Sequence, residues 1–98
     1  MRADLHYLRG VLQIDLGRRA EAVETLRRAL YLDPTFVMAW VRLGTTLRAQ
    51  GQVGAAKRVF ERVRKLCAAG PSDAVVPMAD GATAADVAGL ASSQEAGS

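Results

Sequence analysis

Apolar residues in this chain recur every three or four positions rather than every second one. Residues 3–16 carry Leu5, Leu8, Leu12 and Leu16, a spacing that draws one stripe down a helix. That stripe is the expected core face of a first helix, and Gly17 marks its C-terminal end. Ala22, Leu26, Ala29 and Leu30 line a second helix. Asp33-Pro34 stops it, because proline disfavours helical geometry in the residue before it. The pattern then starts again. Trp40, Leu43, Gly44 and Leu47 share a face, Gly51 ends it, and Ala56, Phe60, Val63 and Cys67 form the next. The run Ala74-Val75-Val76-Pro77 is too short to count as a strand, so the chain is expected to be all-α.

An internal repeat of 34 residues underlies this recurrence. Gly10 aligns with Gly44, Gly17 with Gly51, Ala22 with Ala56, Leu26 with Phe60 and Leu32 with Leu66. His6 falls opposite Trp40. Apolar and small positions match while charged ones mostly differ, as expected of two units that share a fold and not a surface. Gly10 and Gly44 sit in mid-helix, where glycine costs about 1 kcal/mol relative to alanine. Their recurrence predicts close helix approach, with Ala22 and Ala56 as the small residues facing them. On that reading alanine at position 44 is mild or even favourable for the helix, whereas leucine overpacks the pair.

The period and the residues Trp40, Leu43, Gly44, Gly51, Ala56 and Phe60 resemble a tetratricopeptide repeat. Its W-x2-L-G signature stands at Trp40 to Gly44. The first unit matches at Gly10, Gly17, Ala22, Leu26, Ala29 and Pro34, with His6 and Arg9 in place of the usual Trp and Leu. The second has Ala68 where proline is usual, so its last helix is expected to run on toward Gly70. A narrower resemblance joins Leu16-Gly17-Arg18, Ala29–Pro34 and Val76–Thr83 to the C-terminal region of CheR-type chemoreceptor methyltransferases. Some members of that family carry such repeats after the catalytic domain. These end in P-x-x-D-G-x-T, matched here by Pro77, Asp80, Gly81 and Thr83, although Asp86 and Val87 replace the Arg and Leu that often follow. The resemblance implies an all-α solenoid fragment of two helix-turn-helix repeats, 3–36 and 37–70. A tail, 71–98, then carries a capping helix near 84–92.

Charge is divided unevenly along the chain. Residues 1–70 hold all 13 bases and six acids, while residues 71–98 hold four acids and no base. The tail is rich in Ala, Gly and Ser, a composition prone to disorder. However, Thr83 followed by Asp86 reads as an N-cap with an acid three residues on. Val87 and Leu90 are expected to lie on the helix of Phe60 and Val63, and the tail acids near Arg58, Arg62 or Lys65. Such a cap answers the open end that every terminal repeat presents.

Little in the chain points to catalysis. The single histidine, His6, and the single cysteine, Cys67, both occupy apolar helix positions and read as packing residues. There is no CxxC, HExxH or glycine-rich phosphate loop, so no metal, cofactor or catalytic residue is expected in this chain. No apolar run reaches the roughly 20 residues of a membrane span, and a cytoplasmic location is expected. The resemblance puts any S-adenosylmethionine site in a parent enzyme, outside this chain. Arg27, Arg28, Arg62, Arg64 and Lys65 map to second helices and read as a solvated outer face, which makes nucleic acid an unlikely partner.

The resemblance also implies a concave groove lined by first helices. Carried over, its positions are Asp4, Tyr7, Val11 and Ile14 from the first unit and Met38, Val41, Thr45 and Arg48 from the second. Arg48 is the residue suited to hold a carboxylate. The partner is a protein or peptide segment, or the parent catalytic domain. Free-standing adaptor function is the alternative, though not of the chaperone-binding type, whose two-Lys, one-Asn carboxylate clamp is ruled out by the lack of any Asn. Self-association is a further expectation, since about three repeats are usually needed for stability.

Overall fold

The computed structural model describes residues 2–96 as five helices in sequence: α1 (Ala3–Asp15), α2 (Arg19–Leu32), α3 (Val37–Ala49), α4 (Val53–Ala68) and α5 (Ala84–Ala96). α1 packs on α2 and α3 on α4, and these two hairpins meet along α2 and α3. α5 packs on α4 and closes the stack. Among the described residues there is no strand, only one antiparallel bridge between Val75 and Thr83.

The repeat is reproduced in backbone detail. Gly17 and Gly51 take φ of +77° and +81°, a left-handed conformation that costs a side chain and not glycine. Each sits just past a helix end. Gly17 N–H donates to the Ile14 carbonyl and Arg18 N–H to the Gln13 carbonyl; Gly51 and Gln52 do the same toward Arg48 and Leu47. These bonds satisfy the last carbonyls of α1 and α3 and turn the chain into α2 and α4.

The core contains the residues that the periodicity assigns to α2, α3 and α4, except Trp40, which is half-buried against it. Leu26, Leu43, Leu47, Phe60 and Val63 are the largest side chains fully enclosed. α1 departs from expectation. Leu5, Leu8, Leu12 and Leu16 are each 50–60% exposed, and the buried face of α1 is Tyr7, Gly10 and Gln13. Apolar residues occupy two sides of this helix, and periodicity alone does not choose between them. Gly10 decides: a Cβ there would stand 2.9 Å from Leu26 Cδ2, so α2 lies against the Gly10 side and the leucines point away.

The glycine contacts also correct the expected pairing of small with small. Gly10 meets Leu26 first, with the Ala22 carbonyl 3.8 Å from an added Cβ, and Gly44 faces the ring of Phe60, whose Cζ would be 2.8 Å from an added Cβ. Each glycine is a hollow for a large residue of the partner helix. The aligned pair Leu26 and Phe60 therefore does one job in the two repeats.

The tail is folded over its described residues, 71–96. Thr83 N–H donates to Asp86 Oδ2 at 3.0 Å and Asp86 N–H donates to Thr83 Oγ1 at 3.3 Å, the reciprocal cap expected at the start of α5. The Thr83 amide, and then its hydroxyl, hold the Asp86 carboxyl below its usual pKa. Ala84, Val87 and Ala91 are buried, whereas Leu90 remains 45% exposed. The inward face of α5 is therefore one of small residues turned by Val87, not the expected Val87–Leu90 pair. α5 also runs beyond Ser92, and Glu95 pairs with Arg64 at 2.5 Å instead of approaching Arg58, Arg62 or Lys65. Before it, the P-x-x-D-G-x-T segment forms a tight loop. Val76 N–H donates to the Ala82 carbonyl, Ala84 N–H to the Ala74 carbonyl, and Val76 is buried. Asp80 and Gly81 both have positive φ in this loop, a conformation that Asp tolerates and Gly favours.

Candidate functional site

The eight carried-over groove residues lie on α1 and α3, which touch each other directly. They do not share one degree of access. Tyr7 and Val41 are buried, at 3% and 4% exposure. Asp4, Val11, Ile14, Met38 and Arg48 are half-buried, and Thr45 is exposed. Val11, Ile14 and Met38 pack against the core while keeping part of their surface open.

Tyr7 is held by Phe36, with ring centroids 4.9 Å apart and planes tilted by 31°. Phe36 is the residue just before α3, so this contact ties the start of the second repeat to α1. Beyond it lies a cleft of about 380 Å³, bordered by Asp4, Asp33, Phe36 and Val37 and by Pro77 and Met78 of the tail loop. The tail loop thus reaches the N-terminal ends of α1 and α3. Asp4 is engaged by Arg2, and Asp33 Oδ1 accepts from both the amide and the hydroxyl of Thr35.

Arg48 lies at the other end of α3. Its guanidinium donates to the Gln94 carbonyl at 2.9 Å and to Gln94 Oε1 at 2.7 Å. The residue suited by sequence to hold a partner's carboxylate is therefore engaged by α5 within the same chain. Gln94 and Glu95 were not among the residues singled out from sequence. The opposite charges of body and tail are as compatible with their meeting as with an acidic partner, and periodicity in the tail is too weak to say which residues would do so.

His6 is half-buried on α1, beside Arg28, Tyr31 and Leu32 on the open side of the first repeat. Cys67 is free and buried, and desolvation pushes its thiol pKa up, which suits a packing residue and not a nucleophile. Among the described residues no group of three His, Cys, Asp or Glu side chains is arranged to hold a metal ion. No described helix is long and apolar enough to cross a membrane.

Comparison with known proteins agrees with this architecture. Tetratricopeptide-repeat models match residues 3–36 and, in a second match, residues 25–58. The second match is offset, beginning within α2 and ending within α4, as a repeating helical array permits. The chain is also similar to a probable biofilm formation methyltransferase WspC from Pseudomonas putida, at 36% identity over 63 residues. That alignment covers 64% of this chain and 15% of the relative, so the chain spans a small part of that protein's length. No solved structure matches. With residues 3–58 falling within tetratricopeptide-repeat matches and folding as consecutive helical hairpins, the chain belongs to the tetratricopeptide-repeat family of protein-interaction modules.

Proposed function

We propose that this chain is the C-terminal repeat region of a CheR-type chemosensory protein methyltransferase, which it positions or regulates through protein contacts. The observation that carries the reading is α1, which keeps apolar surface open on two sides. On the inner side, Val11 and Ile14 join Met38, Thr45 and Asp4 in a strip for a protein segment, with Tyr7 and Val41 as its base and Arg48 at its end. On the outer side, Leu5, Leu8, Leu12 and Leu16 form an uncovered stripe. One repeat later, Ala39 and Thr46 stand at the positions of Leu5 and Leu12, on the helix against which α2 packs, and both are buried. A helix of the parent enzyme would cover the leucines as α2 covers α3. The similarity to a methyltransferase supports this assignment.

The chain is read as non-catalytic, with methyl transfer carried out by the parent, and as acting in the bacterial cytoplasm. The test is calorimetric titration of this chain into the separately expressed catalytic portion of a WspC-type methyltransferase, with methyl transfer measured in parallel. Binding that Leu8→Glu/Leu12→Glu abolishes is the expected result. Absence of binding together with unchanged methyl transfer would refute the assignment. Binding of a chemoreceptor fragment through the inner strip alone, lost in Val11→Glu/Met38→Glu, would identify a free-standing adaptor instead.

A further inference from the structure

A second surface lies away from the inner strip. Between α2 and α4, over the side of α3 that holds Trp40, Leu43 and Leu47, runs a groove formed by two adjoining hollows of about 420 and 300 Å³. Arg27 and Trp40 border both hollows and make them continuous. The open apolar surface comes from Tyr31, Pro34 and Trp40 in one half and Ala55 in the other, over the enclosed Leu43 and Leu47. The rim is cationic, with Arg27 from α2 and Arg58 and Arg62 from α4. Among the described residues no carboxylate lines either half.

No ion pair among the described residues holds these arginines. The described ion pairs join Arg2 to Asp4, Arg64 to Glu95 and Lys65 to Glu61, and none involves Arg27, Arg58 or Arg62. Among the described residues no tail acid lines the groove: Glu95 is held at Arg64, Asp86 at the Thr83 cap, and neither Asp73 nor Asp80 borders it. Trp40 is fixed in place. Its indole N–H donates to the Pro34 carbonyl at 2.7 Å, and the Arg62 guanidinium lies 5.5 Å from its ring centroid. An apolar floor under unpaired arginines is complementary to a ligand with apolar side chains below and carboxylates at its edges, and arginine suits that role through its forked donors.

We propose that this groove binds an acidic segment of another protein that also carries bulky apolar side chains. Single-stranded nucleic acid fits less well. It would need several open aromatic faces in series for base stacking. Here Arg62 occupies a face of Trp40, and Tyr31, 88% exposed, stands alone at one end of the groove. The proposal is independent of the inner strip and of any parent enzyme.

Trp40 is the single tryptophan of the chain, so its fluorescence reports directly on the groove. The full chain is titrated with a synthetic peptide of Glu and Asp interspersed with Leu and Phe. Parallel titrations use the same peptide with Ser in place of Leu and Phe, and a 15-residue oligouridylate. The expected result is saturable binding of the first peptide with a blue shift of Trp40 emission. Arg27→Glu/Arg58→Glu should weaken it at least tenfold and Lys57→Glu, outside the groove lining, less than threefold. Arg58→Ala, a milder change at an exposed position, should weaken it severalfold and serves if the double variant does not fold. Equal binding of the Ser peptide would reduce the surface to an unspecific charged face and overturn the proposal. Tighter binding of the oligouridylate would overturn it in favour of nucleic acid, and an unchanged Trp40 spectrum at saturation would remove the groove as the site.

Discussion

Replacing Gly44 with alanine adds one carbon to α3 where Phe60 leaves no room for it. The new Cβ would stand 2.8 Å from Phe60 Cζ and 3.0 Å from Cε1 and Cε2. Three ring atoms are met at once, so turning the ring edge does not clear the contact. Phe60 is only 1% exposed and has no solvent side into which to retreat. Two effects oppose each other. Alanine favours the helix by about 1 kcal/mol over glycine. Overpacking a filled core costs about 1–3 kcal/mol. The cost exceeds the gain, and the expected net loss is about 1 kcal/mol, reaching ~2 if α3 and α4 do not separate. In a domain of this size a loss of 1 kcal/mol lowers Tm by about 4–8 °C. Gly89→Ala is the matched control, because it lies inside α5 with no atom within 4 Å of its added Cβ. It should gain about 0.5–1 kcal/mol. Urea unfolding followed by circular dichroism measures both. Should Gly44→Ala prove as stabilising as Gly89→Ala, the close-approach reasoning is refuted.

Other consequences are open to the same assays. Phe60→Ala should cost about 3–5 kcal/mol through the cavity it leaves, and an unchanged melting curve would contradict its role as filler of the Gly44 hollow. Val87→Asp should sharply lower stability, as should truncation after Gly70, because Val87 is 4% exposed on the face α5 turns inward. Leu90→Asp, at 45% exposure, should change the melt by less than 0.5 kcal/mol or so. Equal effects of Val87→Asp and Leu90→Asp would mean that α5 is rotated from the orientation described. Asp86 adds a pH dependence. Its folded pKa lies below the ordinary carboxylate value, chiefly through the Thr83 amide, so its contribution is present above that ordinary value. The contribution is lost as pH falls through the depressed folded value. Asp86→Asn should therefore flatten the acid side of the stability–pH profile, and an unaltered acid limb would argue against the cap.

How far the sequence reached differs from element to element. In α2 and α4 burial follows the apolar stripe, with Leu26, Phe60 and Val63 enclosed as their spacing requires, while α3 encloses Leu43 and Leu47 of its stripe and also Ala39, Val41 and Thr46 outside it. Gly17 and Gly51 were legible because their place after a helix and their recurrence at the repeat period both call for a left-handed residue. The Thr83–Asp86 cap was legible for a similar local reason, since both hydrogen bonds run between residues three apart. Local geometry and short-range pattern are encoded within a few residues of where they act.

The remaining features depend on what stands opposite. α1 has apolar residues on two sides, and the approach of Leu26 to Gly10 selects the side that is buried, leaving Leu5, Leu8, Leu12 and Leu16 outward. Whether Gly44 faces a small residue or an aromatic ring depends on the axial offset of α3 and α4, which no spacing within either helix records. In the tail, Ala, Gly and Ser carry so little contrast that Leu90 looked like an anchor; packing on α4 chose Ala84, Val87 and Ala91 instead. The partners of Arg48 and Arg64 were set in the same way, by where the end of α5 comes to rest. The sequence by itself determined the helices, their ends, their repeat and the residues able to cap them, because those are short-range consequences of side-chain type and spacing. Only the tertiary structure decided which face of α1 is left open, which large residue fills each glycine hollow and which basic residues remain unpaired around Trp40, because those follow from surfaces brought together from distant parts of the chain.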